Sequence, residues 1–266
     1  MRQYVLRALL VSLVIAGLLG MSGALAAQEA TPGAPGAESA LPIETLVTTT
    51  FSEDTLPTAS SPAFVIWYAT IDPETEVAVP TELVACCPGP QIEHVLAGAL
   101  TVRVEGPLQI VRGATRGTPA PLEQVPPGTE TVLHPGDTGV YAFDLPVTYR
   151  NAGSEPVHVV AGGFFGGSPP APPADYAIPS SNVRYPAPPL PPGPVQVTLQ
   201  RTTLPPDGVF PAPPSGAVQL VMTGPELGTL GERSDGSAQN LGREPVDVYA
   251  LILIPTGAGA GTPTTP

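Results

Sequence analysis

Proline and glycine fall every few residues along this chain, 38 of one and 29 of the other in 266. Proline removes a backbone donor and collides with the preceding helical turn, and glycine carries a backbone-entropy cost, so neither lets a long helix persist. Short strands joined by turns tolerate both better. The same composition borders on that of disordered chains. Yet 42% of the residues are hydrophobic, and many fall in short alternating runs that read as strands. The class expected is all-β, with disordered tethers at both ends.

Helical periodicity is confined to the N-terminus. Arg2 and Arg7 precede an apolar stretch, Leu9 to Gly20, and Ala24-Leu25-Ala26 supplies the small-x-small pattern of a signal peptidase site. Residues 1–26 therefore read as a signal peptide, which makes the protein secreted or extracytoplasmic. The alternative is an uncleaved N-terminal membrane anchor, because Ala8 to Ala27 is apolar enough to span a bilayer. The chain has no lysine, and its formal net charge of −13 becomes more negative once Arg2 and Arg7 are removed. Such a field repels nucleic acid and anionic lipid, so neither nucleic acid nor, after cleavage, a membrane is expected as a partner.

Residues 27–42 are small, polar and proline-rich and read as a flexible linker, residues 167–194 read as a second one, and 256–266 as a disordered tail. Between them LVTTTF, AFVIWYATI, QIEHVLAGALTVRV, LQIVRG, TETVLH, TGVYAF, VTYRN and VHVVAGGFF read as strands. TLPTASSP, EGP, TPAPLEQVPPG and HPGD read as the turns that separate them. A repeat crosses the second linker. RNAGSEPVHVVAG from Arg150 returns as QNLGREPVDVYAL from Gln239, so that Asn151, Gly153, Glu155, Pro156, Val157 and Val159 recur at a constant offset of 89. VLAG at 95–98 returns as VMTG at 221–224, at an offset of 126. The second copy is thus shorter by about two hairpins, the mark of duplication followed by trimming. Asn151 and Asn240 are expected at turn positions with positive φ, which asparagine tolerates.

EHVLAGALTVRVEG and HPGDTGVYAFDLPVTYRNAGSEPVHVV resemble the two motifs of the cupin superfamily, the small jelly-roll barrels. The resemblance implies a cupin-like jelly-roll barrel over 43–166, followed by a truncated, degenerate second cupin-like β-repeat over 195–255. Enzymes of that family hold a divalent metal with three histidines and a glutamate on the inner face of the barrel. Imidazole and carboxylate suit iron, manganese, nickel or zinc with positions left open. Carried onto this chain, the glutamate position falls on Gln91. The paired histidine positions fall on Ala85 and Cys87, or on Val84 and Cys86 with the longer spacing, and the last histidine position on Val147. None of the four ligands is kept, so the resemblance implies the scaffold without its usual metal, and no cofactor is expected.

Cys86 and Cys87 are the two cysteines of the chain. Four readings stand: a vicinal disulfide closing a strained ring, two part-buried free thiols, intermolecular bridges, or a metal site. In the last, Cys86, Cys87, Glu93 and His94 are the candidate ligands for a divalent metal or copper. Strand alternation puts Gln91, Glu93 and Val95 on one face and Ile92, His94 and Leu96 on the other. His94 then reads as a packed histidine and Glu93 as a surface residue, with a place in the barrel mouth against a ligand as the alternative. His134 reads as exposed, His158 as outward-facing, and Asp137 as a carboxylate that caps turn amides. The function expected is that of a secreted, non-enzymatic cupin-like module that binds a small-molecule ligand or is structural, with a homodimer as the candidate assembly. The alternatives are a metal-dependent cupin enzyme of the dioxygenase or isomerase type with a cysteine-containing site, and a redox or copper-handling protein built on Cys86 and Cys87.

Overall fold

A computed structural model of the chain describes residues 41–57, 63–79, 89–113, 122–142, 146–165, 180–186, 193–224 and 230–256. The signal peptide, most of residues 27–42, Cys86 and Cys87, and most of the tail lie outside the described residues. Among the described residues the regular structure is strand, apart from one 3-10 turn at Glu53–Thr55. No helix of theirs is long and apolar enough to cross a membrane.

The first half of the chain runs through β1 (Glu44–Phe51), β2 (Ala63–Ile71), β3 (Glu76–Val79), β4 (Pro90–Ala97), β5 (Leu100–Val104), β6 (Leu108–Val111), β7 (Leu122–Val125), β8 (Glu130–Leu133), β9 (Thr138–Ala142), β10 (Val147–Arg150) and β11 (Val157–Phe165). One antiparallel sheet holds β2, β11, β4 and β9 side by side, and another holds β3, β10, β5 and β8. Side chains of both meet in one buried cluster, with Ile71, Val95 and Val159 from the first and Leu100, Val102, Leu133 and Val147 from the second. Eight strands in this order over two packed sheets form a jelly roll. The β6–β7 hairpin widens the first sheet beyond β9. Its second strand falls in TPAPLEQVPPG, expected as turn. Three of its four residues are exposed, so the pairing comes from β6 and not from any apolar pattern of its own.

The second half runs through β12 (Ser180–Pro186), β13 (Val195–Leu204), β14 (Val209–Phe210), β15 (Val218–Thr223), β16 (Leu230–Glu232), β17 (Ala238–Asn240) and β18 (Val246–Pro255). The order β13-β18-β15 repeats β2-β11-β4, and β14-β17-β16 repeats β3-β10-β5. Nothing corresponds to β6 through β9 among the described residues, as the shorter second copy implied. Leu204, Val248, Ala250 and Ile252 meet Phe210 and Ala238 as the interior of this reduced barrel.

Each repeat lends its first strand to the other. β1 pairs along β13, with Thr48 opposite Thr198 and Phe51 opposite Val195. β12 pairs along β2, the equivalent strand of the first repeat. This differs from the expected division: β1 falls in the segment expected as the first barrel, and β12 in the segment expected as linker. A strand at a sheet edge is specified by the neighbour whose free amides it covers, which local composition does not show. Between the large sheets lies a third apolar cluster. It joins Phe64, Ile66, Ile92 and Phe164 to Val197, Leu199, Tyr249 and Leu251. Gly162 lets the sheets close, because a Cβ there would stand 2.5 Å from a methyl of Leu251.

The two repeated asparagines bind the loops of both repeats in the same way. Asn151 Nδ2 donates to the carbonyls of Ile71 and Glu155, and its Oδ1 accepts from Gly153 N–H. Asn240 does the same with Leu204, Glu244 and Gly242. Neither has the expected positive φ. That conformation falls to Glu74 and Asp207, the turn residues beside each asparagine, while asparagine is used for having donor and acceptor on one group. Both are 1% exposed. Asn151→Ala strands two carbonyls and an amide, Asn240→Ala strands a third carbonyl, that of Pro205, as well, and each should cost about 2–4 kcal/mol in denaturant unfolding.

Candidate functional site

Side chains of β4 alternate between the interior of the first barrel and its outer face. Val95 belongs to the interior cluster and Ile92 to the cluster between the sheets. Gln91 and Glu93 therefore point inward with Val95, each 4% exposed. The expectation of a surface position for Glu93 is corrected. Alternation says which residues share a face, not which face is covered, and the facing sheet that covers this one is assembled from four strands spread from β3 to β10.

Gln91 and Glu93 lie at the end of the barrel away from the tight turn at Gly98. Tyr141 on β9 stands opposite Gln91 across the strand pair, and its hydroxyl donates to Glu93 Oε2 at 3.2 Å. Tyr149, from the facing sheet, is hydrogen-bonded to the Tyr141 hydroxyl. Tyr141 has one proton and gives it to Glu93, so Tyr149 is the donor in that second bond. Burial pushes the Glu93 carboxyl up to about 7, against the opposing pull of the Tyr141 bond. Burial, and then the neighbouring Glu93 and Tyr149, hold the Tyr141 phenol well above its ordinary range. Beside this chain, Gln91 Oε1 is buried and has no hydrogen-bond partner. A buried acceptor left so costs about 1–3 kcal/mol, and the site is complete only when a donor reaches it. Trp67 is half-buried against the same interior cluster. Its neighbour across β11 is Ala161, which in turn pairs with Glu93.

The histidines lie elsewhere. His94 points to the outer face, where its Nδ1 is 2.8 Å from the Thr138 hydroxyl. Burial, and then Arg201 of the second repeat, lower it to about 4 against the opposing pull of Asp137. His134 is exposed. Beside it Asp137 accepts from the amides of His134 and Gly113 and from Arg112, the capping role read from the sequence. His158 is on the outer face and half-buried, with Nδ1 2.5 Å from the Tyr68 hydroxyl and 3.2 Å from that of Thr70. The corresponding place in the second repeat holds Asp247, bonded to Arg201 and Thr203.

The resemblance of the sequence to the cupin motifs implies a divalent metal, and the described residues do not fit one. Their inward groups at this end are a carboxamide, one carboxyl that burial pushes up to about 7, and two phenols. Glu93 and His94 point to opposite faces of β4 and do not converge. Among the described residues no three His, Cys, Asp or Glu side chains are grouped to hold an ion. Tyr141 and Tyr149 carried no sequence signal beyond their places in strands, since only the fold brings them to Glu93.

The geometry defines the class, an all-β jelly roll with a reduced second copy. No protein-family model and no curated protein sequence matches the chain. Similar solved structures include AerE from Microcystis aeruginosa, at 10% identity and a TM-score of 0.34 over 79% of this chain and 99% of that one. A cupin 2 conserved barrel domain protein from Leptotrichia buccalis is 10% identical, with a TM-score of 0.28 over 78% and 89% of the two chains. A mutant oxalate decarboxylase from Bacillus subtilis is also 10% identical, with a TM-score of 0.34 over 78% and 79%. These likenesses concern fold alone, and the architecture rests on the strand order itself.

Proposed function

We propose that the chain is an exported, non-enzymatic barrel protein that holds a small organic molecule at the polar end of its first barrel. The observation that carries this reading is Gln91 Oε1, a buried acceptor without a partner, set beside Glu93 and Tyr141. Ligand sites bring a few polar groups together within apolar surroundings, and Gln91, Glu93 and Tyr141 are such a group beside the interior cluster. Export is supported by Arg2 and Arg7, the apolar run after them and Ala24-Leu25-Ala26.

Native mass spectrometry of the chain isolated from its source organism tests the reading. The expected result is a bound organic mass, lost in Gln91→Leu. Stoichiometric iron, manganese or nickel in place of that mass would overturn it.

A further inference from the structure

The polar end of the first barrel also restricts the chemistry of what it can hold. The inference rests on the small-molecule reading above and narrows it. Every described ion pair has its arginine away from the barrel interior: Arg103 with Glu105, Arg112 with Glu123 and Asp137, Arg150 with Glu130, and Arg201 with Asp247. All four arginines have side chains at least 37% exposed. The chain contains no lysine to supply the missing charge. An anion entering beside Glu93 would meet no described counter-charge in a low-dielectric enclosure, where an unpaired charge is heavily penalised.

The polar atoms present suit a neutral group with a donor and an acceptor side by side. Gln91 offers a carbonyl oxygen that lacks a donor. Two residues along the same face, Glu93 is buried in an environment that favours its protonated form, and a protonated carboxyl donates a hydrogen bond. Alternate residues on a strand are about 7 Å apart. A planar amide with a hydrogen bond of ~2.9 Å at each end bridges about that distance. The indole of Trp67, half-buried in the same interior, offers an apolar wall.

We propose that the first barrel selects uncharged carboxamides or lactams with an apolar body, the amide N–H donating to Gln91 Oε1 and the amide carbonyl accepting from Glu93. A carboxylate of the same shape is excluded, because it has no proton for Gln91 and adds a second acid beside Glu93. The neighbouring tyrosines are positioning residues: Tyr149 donates to Tyr141, and Tyr141 holds the other oxygen of Glu93.

Trp67 is the sole tryptophan, so intrinsic fluorescence reports on this barrel alone. The test titrates the full chain with cyclohexanecarboxamide and, separately, with cyclohexanecarboxylate, two probes of one shape that differ in charge and donor. The expected result at pH 6 is a saturable response to the carboxamide, with the carboxylate at least tenfold weaker. Carboxamide affinity should fall as pH rises past 7. Gln91→Leu should weaken it at least tenfold, whereas Glu93→Gln, which still presents a donor, should keep binding and lose the pH dependence.

Equal or tighter binding of the carboxylate would overturn the ligand class and leave the barrel site standing. Unchanged carboxamide affinity in Gln91→Leu would overturn the role of that acceptor. No saturable response to the carboxamide overturns the proposal, and the small-molecule reading then depends on the mass bound to the native chain.

Discussion

Glu93→Gln should gain on the wild-type chain by about 3 kcal/mol as the pH is raised from 4.5 to about 8. The folded carboxyl titrates at about 7 against 4.5 in the open chain, and burial is the cause. Its contribution to stability is therefore complete below pH 4.5 and is lost as pH rises through 7. The adjacent His94 behaves in the opposite sense. Burial lowers it from 6.5 to about 4, so its contribution is complete above pH 6.5 and is lost as pH falls through 4. Between pH 4.5 and 6.5 the two slopes nearly cancel, and these neighbours leave the wild-type chain almost flat in pH. Removing Glu93 uncovers the rising slope of His94. Denaturant unfolding at a series of pH values measures both curves, and parallel curves for variant and wild type would show that Glu93 is solvated.

Deleting residues 44–51 should remove at least about 5 kcal/mol and leave no cooperative transition. β1 covers the edge of β13 and buries Leu46, Val47 and Phe51, each under 9% exposed. At roughly 1.5–3 kcal/mol per buried side chain, their loss matches the whole stability of an ordinary domain, about 5–15 kcal/mol. The damage should appear in the second repeat, although the deletion lies at the start of the first. A synthetic peptide of residues 41–57 added in trans should restore a cooperative melt. Loss of under about 1 kcal/mol would contradict the exchange of first strands.

The sequence made the duplication legible because the loop asparagine and its glycine do the same work twice, and that work constrains both residue types. It also showed which β4 residues share a face, and it placed Gln91 where a metal carboxylate stands in cupin enzymes. It did not show that Glu93 is enclosed. Enclosure depends on Tyr149, which is distant in sequence, and on how the facing sheet packs, which no local pattern reports. β7 and β12 were hidden for a related reason. LEQV between prolines and SSNVRYP inside a proline-rich run have little pattern of their own, and both become strands by covering an edge. Positive φ falls to Glu74 and Asp207, in the turns beside the asparagines.

The central claim is that the inner end of the first barrel is an enclosed amide–acid–phenol site without a counter-charge for Glu93 among the described side chains. Carboxyl 13C NMR of the folded chain, with the Glu93 resonance assigned by its absence in Glu93→Gln, tests this most directly. A titration midpoint at about 7 is the result the enclosed site requires. A midpoint at or below 4.5 would place the carboxylate in water or beside a cation, and would contradict it.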